Sequence, residues 1–291
     1  MKKLISFVFG TFCAAVIFFC IYLFAEIGVQ RFLFHPTPVP IGTNNTLEIS
    51  NDQSDGIIAG RFFYEQRGDL TPKPPSNSAY SPRIFGDQRF STRFDGKSRV
   101  WRGFGKRSNT LKPAIVLLHG AKRSGASMLD MWQGVSRRND VVLIAPDSFG
   151  ASWSRENDTE EFLAHVLAEA DEKYGIDPER IYLFGHSSGA IHAQEIANGG
   201  SLKWVAVGAH AGTPYWRNFT PRKDAPAVKI FLGSRDHNFP MGQALASAQK
   251  LAENGHDVYF TEIPNHTHWY YIIGQRLSDE TWEFFQSQTN G

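Results

Sequence analysis

Cysteine is nearly absent from this chain of 291 residues: there are two, Cys13 and Cys20, both in an apolar stretch near the start. No disulfide can therefore staple the remaining sequence, and no thiol there can serve as a nucleophile or a zinc ligand. An excess of one charge is missing too. Thirty Lys and Arg face 29 Asp and Glu, for a net charge of +1, so composition gives no reason to expect nucleic acid as a partner. There is no HExxH, no CxxC pair and no Gly-rich phosphate loop in a strand-to-helix setting, so neither a metal nor a nucleotide cofactor is expected. What is present, 42% hydrophobic and 20% charged residues, suits one substantial core in a single α/β domain.

One long hydrophobic run exists. Lys2-Lys3 precede the uncharged stretch Leu4 to Phe24, 21 residues that as a helix would span about the 30 Å of a bilayer core. A secretory signal has a shorter apolar region and a small-x-small cleavage site, and Leu23-Phe24-Ala25-Glu26 offers none. The reading is an N-terminal transmembrane anchor over 1–25, with a cleaved signal as its rival. The leading lysines favour the N-terminus inside, which puts the remaining domain outside the cytoplasm. Residues 26–56 read as a juxtamembrane connector and 57–291 as the folded domain. Between Arg83 and Lys112 nine basic residues face two acidic ones, either a solvated face or a surface resting on anionic headgroups.

From Ala114 onward short apolar runs alternate with helix-compatible ones. Strands are expected at 57–64, 98–104, 114–118, 141–145, 180–184, 204–207, 228–232 and 257–263. Helices are expected at 127–138, 159–174, 190–197, 241–253 and 279–285. Continuous apolar strands separated by helices predict a mostly parallel sheet with helices on both faces.

The chain is organised around Tyr182-Leu183-Phe184-Gly185-His186-Ser187-Ser188-Gly189-Ala190-Ile191. Strand, sharp turn and helix place a serine at an apex with glycine two positions to either side. A serine hydroxyl is a poor nucleophile unless it stands clear of the sheet and meets a base. A tight strand-to-helix turn lifts it there, and only small flanking residues let strand and helix approach so closely. The pentapeptide alone is weak, so the other strand ends must supply the partners. In open α/β sheets sites form at the carboxyl ends of the strands. Strand 114–118 ends in His119-Gly120-Ala121, strand 228–232 in Gly233-Ser234-Arg235-Asp236, and strand 257–263 in Asn265-His266-Thr267-His268. This gives the chain order Ser187, Asp236, His268: nucleophile, orienting acid and general base. His266 is the alternative base; His268 is preferred because Trp269-Tyr270-Tyr271 directly follows it. The backbone N–H groups of Ser188 and Ala121 are the expected oxyanion donors. His119 and His186 are expected to shape their loops, and His210 to line the pocket or pack.

Leu117-Leu118-His119-Gly120, the run from Tyr174-Gly175-Ile176-Asp177-Pro178 into Gly185-His186-Ser187-Ser188-Gly189, and the late aspartate and histidine resemble the α/β-hydrolase superfamily. Within it the chain is similar to polyhydroxybutyrate-depolymerase-like and esterase D-like serine esterases, over roughly residues 98–288. The resemblance implies an α/β-hydrolase fold and cofactor-free hydrolysis of small carboxylic esters through an acyl-enzyme. Ala190 stands where depolymerase relatives often carry a further glycine. A serine peptidase or acyltransferase on the same fold is the alternative, since only the acceptor that deacylates the enzyme separates them. A membrane-tethered binding module with an inactive site is a third reading.

Overall fold

The computed structural model describes residues 59–73 and 79–289. The anchor expected at 1–25 and the connector at 26–56 lie outside them. Among the described residues no helix is long and apolar enough to cross a membrane.

The described strands form one nine-stranded sheet: β1 (Phe62–Gln66), β2 (Gln88–Phe94), β3 (Lys97–Phe104), β4 (Lys112–Leu118), β5 (Val142–Pro146), β6 (Ile176–His186), β7 (Ala206–His210), β8 (Ala227–Gly233) and β9 (Val258–Ile263). Their order across the sheet is β1-β9-β8-β7-β6-β4-β5-β3-β2. From β1 to β5 every neighbouring pair is parallel; β3 runs antiparallel to both β5 and β2. The helices are α1 (Gly125–Asn139), α2 (Glu160–Tyr174), α3 (Ser188–Gly199), α4 (Met241–Glu253) and α5 (Gly274–Thr289).

Strand alternation divides the core. In β4, Val116 and Leu118 join Phe162 and Val166 of α2, Ala193 of α3 and Leu251 of α4 on one face. Ile115 and Leu117 join Met128 and Trp132 of α1 and Leu277 and Phe285 of α5 on the other. With both faces covered, the central strands can be apolar at every position. Each such side chain contributes about 1.5–3 kcal/mol by leaving water.

The sheet differs from expectation at one edge. Residues 88–94, where no strand is expected, pair with β3 through a turn at Asp95-Gly96, where φ is 47° and 70°. Asp-Gly is the two-residue signal for such a hairpin, and Phe90, Thr92 and Phe94 alternate with Arg89, Ser91 and Arg93 as a strand covered on one face requires. Only one face of β2 is covered: Phe90 stacks on Trp101 at 4.3 Å between centroids. The closing helix is also longer than expected, starting at Gly274. Part of the basic stretch is paired within the protein: Arg99 pairs with the buried Asp158 at 2.6 Å, Arg102 with Asp87 and Lys112 with Asp140, while Arg83, Arg89, Arg93, Lys106 and Arg107 are exposed.

Candidate active site

The turn after β6 explains its own sequence. Ser187 sits at φ 55°, ψ −119°, a conformation a side-chain-bearing residue adopts only when its surroundings enforce it. Its N–H donates to His210 O at 2.9 Å, and its carbonyl accepts from Ala190 N at 2.9 Å and Ile191 N at 3.1 Å. A Cβ on Gly185 would lie 2.2 Å from Gly189 O, and one on Gly189 2.3 Å from Leu118 O. Both glycines are therefore required by close backbone approach.

Asp236 and His268 come from the ends of β8 and β9. Asp236 Oδ1 accepts the N–H groups of Asn238 at 2.8 Å and Phe239 at 3.1 Å, which aims Oδ2 at the neighbouring loop. His268 Nδ1–H donates to that oxygen at 2.9 Å, and His268 Nε2 lies 2.9 Å from Ser187 Oγ. A carboxylate only accepts hydrogen bonds, so Nδ1 carries the proton and Nε2 keeps its lone pair toward the serine hydroxyl. Phe239 stacks on the imidazole with centroids 5.7 Å apart. Asp236 is buried, whereas Ser187 and His268 are half-buried, so the line runs from a sealed carboxylate to a hydroxyl open to solvent.

The two expected oxyanion donors lie in suitable local structure. Ser188 opens α3, where the first N–H groups have no intrahelical acceptor. Ala121 is exposed on a turn whose bonds run from Arg123 N–H to Gly120 O at 3.2 Å and from Lys122 N–H to Ala151 O at 2.6 Å, leaving its own N–H out of both. Gly120 abuts the nucleophile turn: a Cβ there would lie 2.9 Å from the His186 ring and 3.4 Å from Ser187 Cβ. His119 fixes this loop. Its Nε2 accepts Ser148 N–H at 3.0 Å, so Nδ1–H donates to Gly120 O at 2.8 Å, while its own carbonyl accepts Trp153 Nε1–H at 2.7 Å.

A second set of histidines lies beneath. His186 Nδ1 meets His210 Nδ1 at 3.0 Å, and His210 Nε2 meets His266 Nε2 at 3.0 Å. His210 and His266 are fully buried and His186 nearly so. Burial, then the charge of His268, holds His186 well below the ordinary imidazole value. Burial and the neighbouring histidines do the same for His210, and burial pushes His266 down to about 4. Three neutral rings carry three N–H groups for two mutual bonds, so both bonds can be made in either direction. His266 Nδ1 has no partner among the described residues. His186 Nδ1 also lies 3.4 Å from His210 O, which can only accept. His210 therefore packs rather than lining the pocket, and His266, the alternative base, is buried against His210 while His268 faces Ser187. Trp153 is buried against His119 and His192, whereas Trp216 is half exposed.

A hollow of about 370 Å³, lined by Lys112, Asp140, Arg180 and Trp282, lies at the amino end of β4, away from this site.

No protein-family model matches the chain, and no curated protein is similar to it in sequence. Solved structures are similar. An S-formylglutathione hydrolase from Agrobacterium tumefaciens superimposes with a TM-score of 0.58 at 13% identity, covering 72% of this chain and 98% of that one. Thermogutta terrifontis esterase 2, phosphorylated by paraoxon, gives 0.58 at 16% identity, covering 72% and 96%. The fold is that of the α/β-hydrolases. A ferulic acid esterase from Anaeromyces mucronatus adds a TM-score of 0.55 at 17% identity over 72% of this chain and 94% of its own. Identities this low establish shared architecture only. It is an architecture in which the ends of β4, β6, β8 and β9 meet along one rim of the sheet.

Proposed function

We infer that this α/β-hydrolase-fold protein is a serine hydrolase of carboxylic esters. The observation that carries the inference is His268, bonded at one nitrogen to a buried carboxylate and facing the elbow serine with the other, each at 2.9 Å. Ser187 Oγ attacks the ester carbonyl as its proton passes to His268 Nε2. Asp236 stabilises the resulting imidazolium and holds the ring in place. The N–H groups of Ser188 and Ala121 receive the developing oxyanion, each worth about 3 kcal/mol in the barrier. His268 returns its proton to the departing alkoxide, leaving an acyl-enzyme, and then activates the water that hydrolyses it. Two of the three similar structures named above are esterases by name, which supports the choice of an ester, and no step calls on a cofactor. A fluorophosphonate probe should label the wild-type protein and not Ser187→Ala, and the variant should lose about 10⁴-fold or more in the hydrolysis of short p-nitrophenyl esters. Labelling that persists in the variant would overturn the assignment.

The reading includes a membrane anchor over 1–25, a connector over 26–56 and the hydrolase domain held outside the cytoplasm. The length of the Leu4–Phe24 run and its Lys2-Lys3 flank support it. The full chain should remain in the membrane pellet through alkaline carbonate washing; release into the supernatant, or a mature N-terminus beyond residue 25, would remove the anchor.

A further inference from the structure

Arg123 closes the turn that begins at Gly120. The bond from its N–H to Gly120 O is 3.2 Å, and such a turn keeps the end Cα atoms within about 7 Å of each other. Gly120 in turn abuts Ser187. The guanidinium is therefore built onto the same loop that offers Ala121 to the oxyanion.

Three aromatic rings hold it. Its Cζ lies 5.1 Å from the ring centre of Tyr271, 5.5 Å from Trp269 and 5.7 Å from Tyr80. The rings brace one another. Tyr80 stacks on Tyr271 at 3.8 Å, and Trp269 meets Tyr271 edge-on at 5.3 Å. Tyr80 is fixed by a 2.7 Å bond to Asp130, and Tyr271 lies 6.0 Å from the His186 ring. Trp269 directly follows His268 in the chain. The cage thus touches the oxyanion loop, the base loop and the elbow strand.

The charge itself is unanswered. Among the described residues no carboxylate or carbonyl accepts a bond from the Arg123 side chain, although most of the other buried or half-buried arginines have one, including Arg67, Arg99, Arg102, Arg180, Arg217 and Arg222. Aromatic faces attract a guanidinium but use none of its five N–H groups. A half-buried, ring-clamped fork with free donors, at the edge of a nucleophile site, is a receptor for a planar anion.

We propose that Arg123 binds a carboxylate of the substrate, so that the preferred substrates of this site are carboxylic esters carrying a free carboxylate a few bonds from the scissile carbonyl. The proposal rests on the ester-hydrolase reading and specifies its substrate class. Arg123 is a binding residue and takes no part in proton transfer.

Two matched substrate pairs test it with the full-length protein, one for each side of the ester. The butyrate ester of 4-hydroxybenzoate is compared with that of 4-hydroxybenzamide, and monomethyl glutarate with its neutral half-amide. Within at least one pair kcat/KM should favour the carboxylate by about 10- to 100-fold, the worth of a charge-assisted hydrogen bond. The gain should lie mainly in KM and shrink as salt rises. In Arg123→Gln that ratio should fall to about 1, and Arg123→Lys should retain part of it. Because the ratio is taken within each variant, a general loss of activity cancels. A wild-type ratio near 1 in both pairs, or a preference that survives Arg123→Gln, overturns the proposal. If no member of either pair is cleaved and the serine probe does not label Ser187, the ester-hydrolase reading itself has failed, which is a different result.

Discussion

Two lines of hydrogen-bonded imidazole run side by side at the carboxyl ends of β6, β7 and β9, and they differ in what ends them. The outer line joins Asp236, His268 and Ser187. It begins at a buried carboxylate and ends at a hydroxyl that solvent can reach. The inner line joins His266, His210 and His186, and among the described residues no carboxylate is hydrogen-bonded to it; Asp236 acts on His266 only through space. The His186 and His268 rings are only 5.3 Å apart, yet their situations are opposite. A carboxylate bonded to Nδ1 makes an imidazolium tolerable when a proton arrives. Burial without a hydrogen-bonded carboxylate makes it costly, so the inner rings stay neutral and act as hydrogen-bonded packing. Residue type is thus a poor guide to role here; the nearest negative charge and the nearest water decide.

The contrast is most easily broken by truncating one ring from each line. His268→Ala should lower kcat for a simple ester by about 10⁴-fold while changing the thermal midpoint little, since its ring is partly exposed and water can take its place at Asp236 Oδ2. His266→Ala should do the reverse. It leaves His210 Nε2 without a partner and opens a cavity, so stability should fall by about 2–3 kcal/mol, with kcat within about tenfold of wild type. Ester kinetics and urea unfolding on both variants check this, and the opposite ranking would move the base role to His266. A smaller effect sharpens the same contrast through pH. In the unfolded chain His266 titrates near 6.5, whereas in the fold it is pushed down to about 4. Between those values the unfolded chain takes up a proton that the folded one refuses. The stability it contributes is therefore present above pH 6.5 and lost as pH falls toward 4, by about 1.4 kcal/mol per unit. His186 and His210 act with the same sign. Urea unfolding at pH 7.5, 6.0 and 5.0 should show a shallower decline in His266→Gln than in wild type, and parallel declines would contradict the neutral inner line.

Much of the architecture is written locally. Apolar runs such as Ala114–Leu118 and Val228–Leu232 can be satisfied only in strands covered on both faces, and the structure places them there. The glycines around Ser187 announce a turn in which backbone meets backbone, and the distances from Gly185 to Gly189 and from Gly189 to Leu118 supply the reason. The edge hairpin β2–β3 is legible in Asp95-Gly96, in the strand expected at 98–104 and in the alternation of Phe90 and Phe94 with Arg89 and Arg93, but a strand covered on one face lacks the continuous apolar run that marks the central strands.

The site divides along the same boundary. Ser187, Asp236 and His268 could be nominated from sequence because each stands at the end of an apolar strand, and in a parallel sheet all those ends face one rim. Sequence could also favour His268 over His266, through the aromatic run beside it, but not say what His266 does instead. That depended on the loop after β9 folding back over β7, which buries one histidine against His210 and turns the next, two residues on, toward a carboxylate and a serine. Nor could sequence bring Tyr80 and Arg123 to the Trp269–Tyr271 run, since the three segments are far apart along the chain and carry no shared pattern. Hydrophobic runs and glycine sterics act between near neighbours, so the sequence alone determined the central strands and the elbow. Which charges are paired, and which rings are dry, depends on side chains brought together from distant segments, and only the tertiary structure decided that.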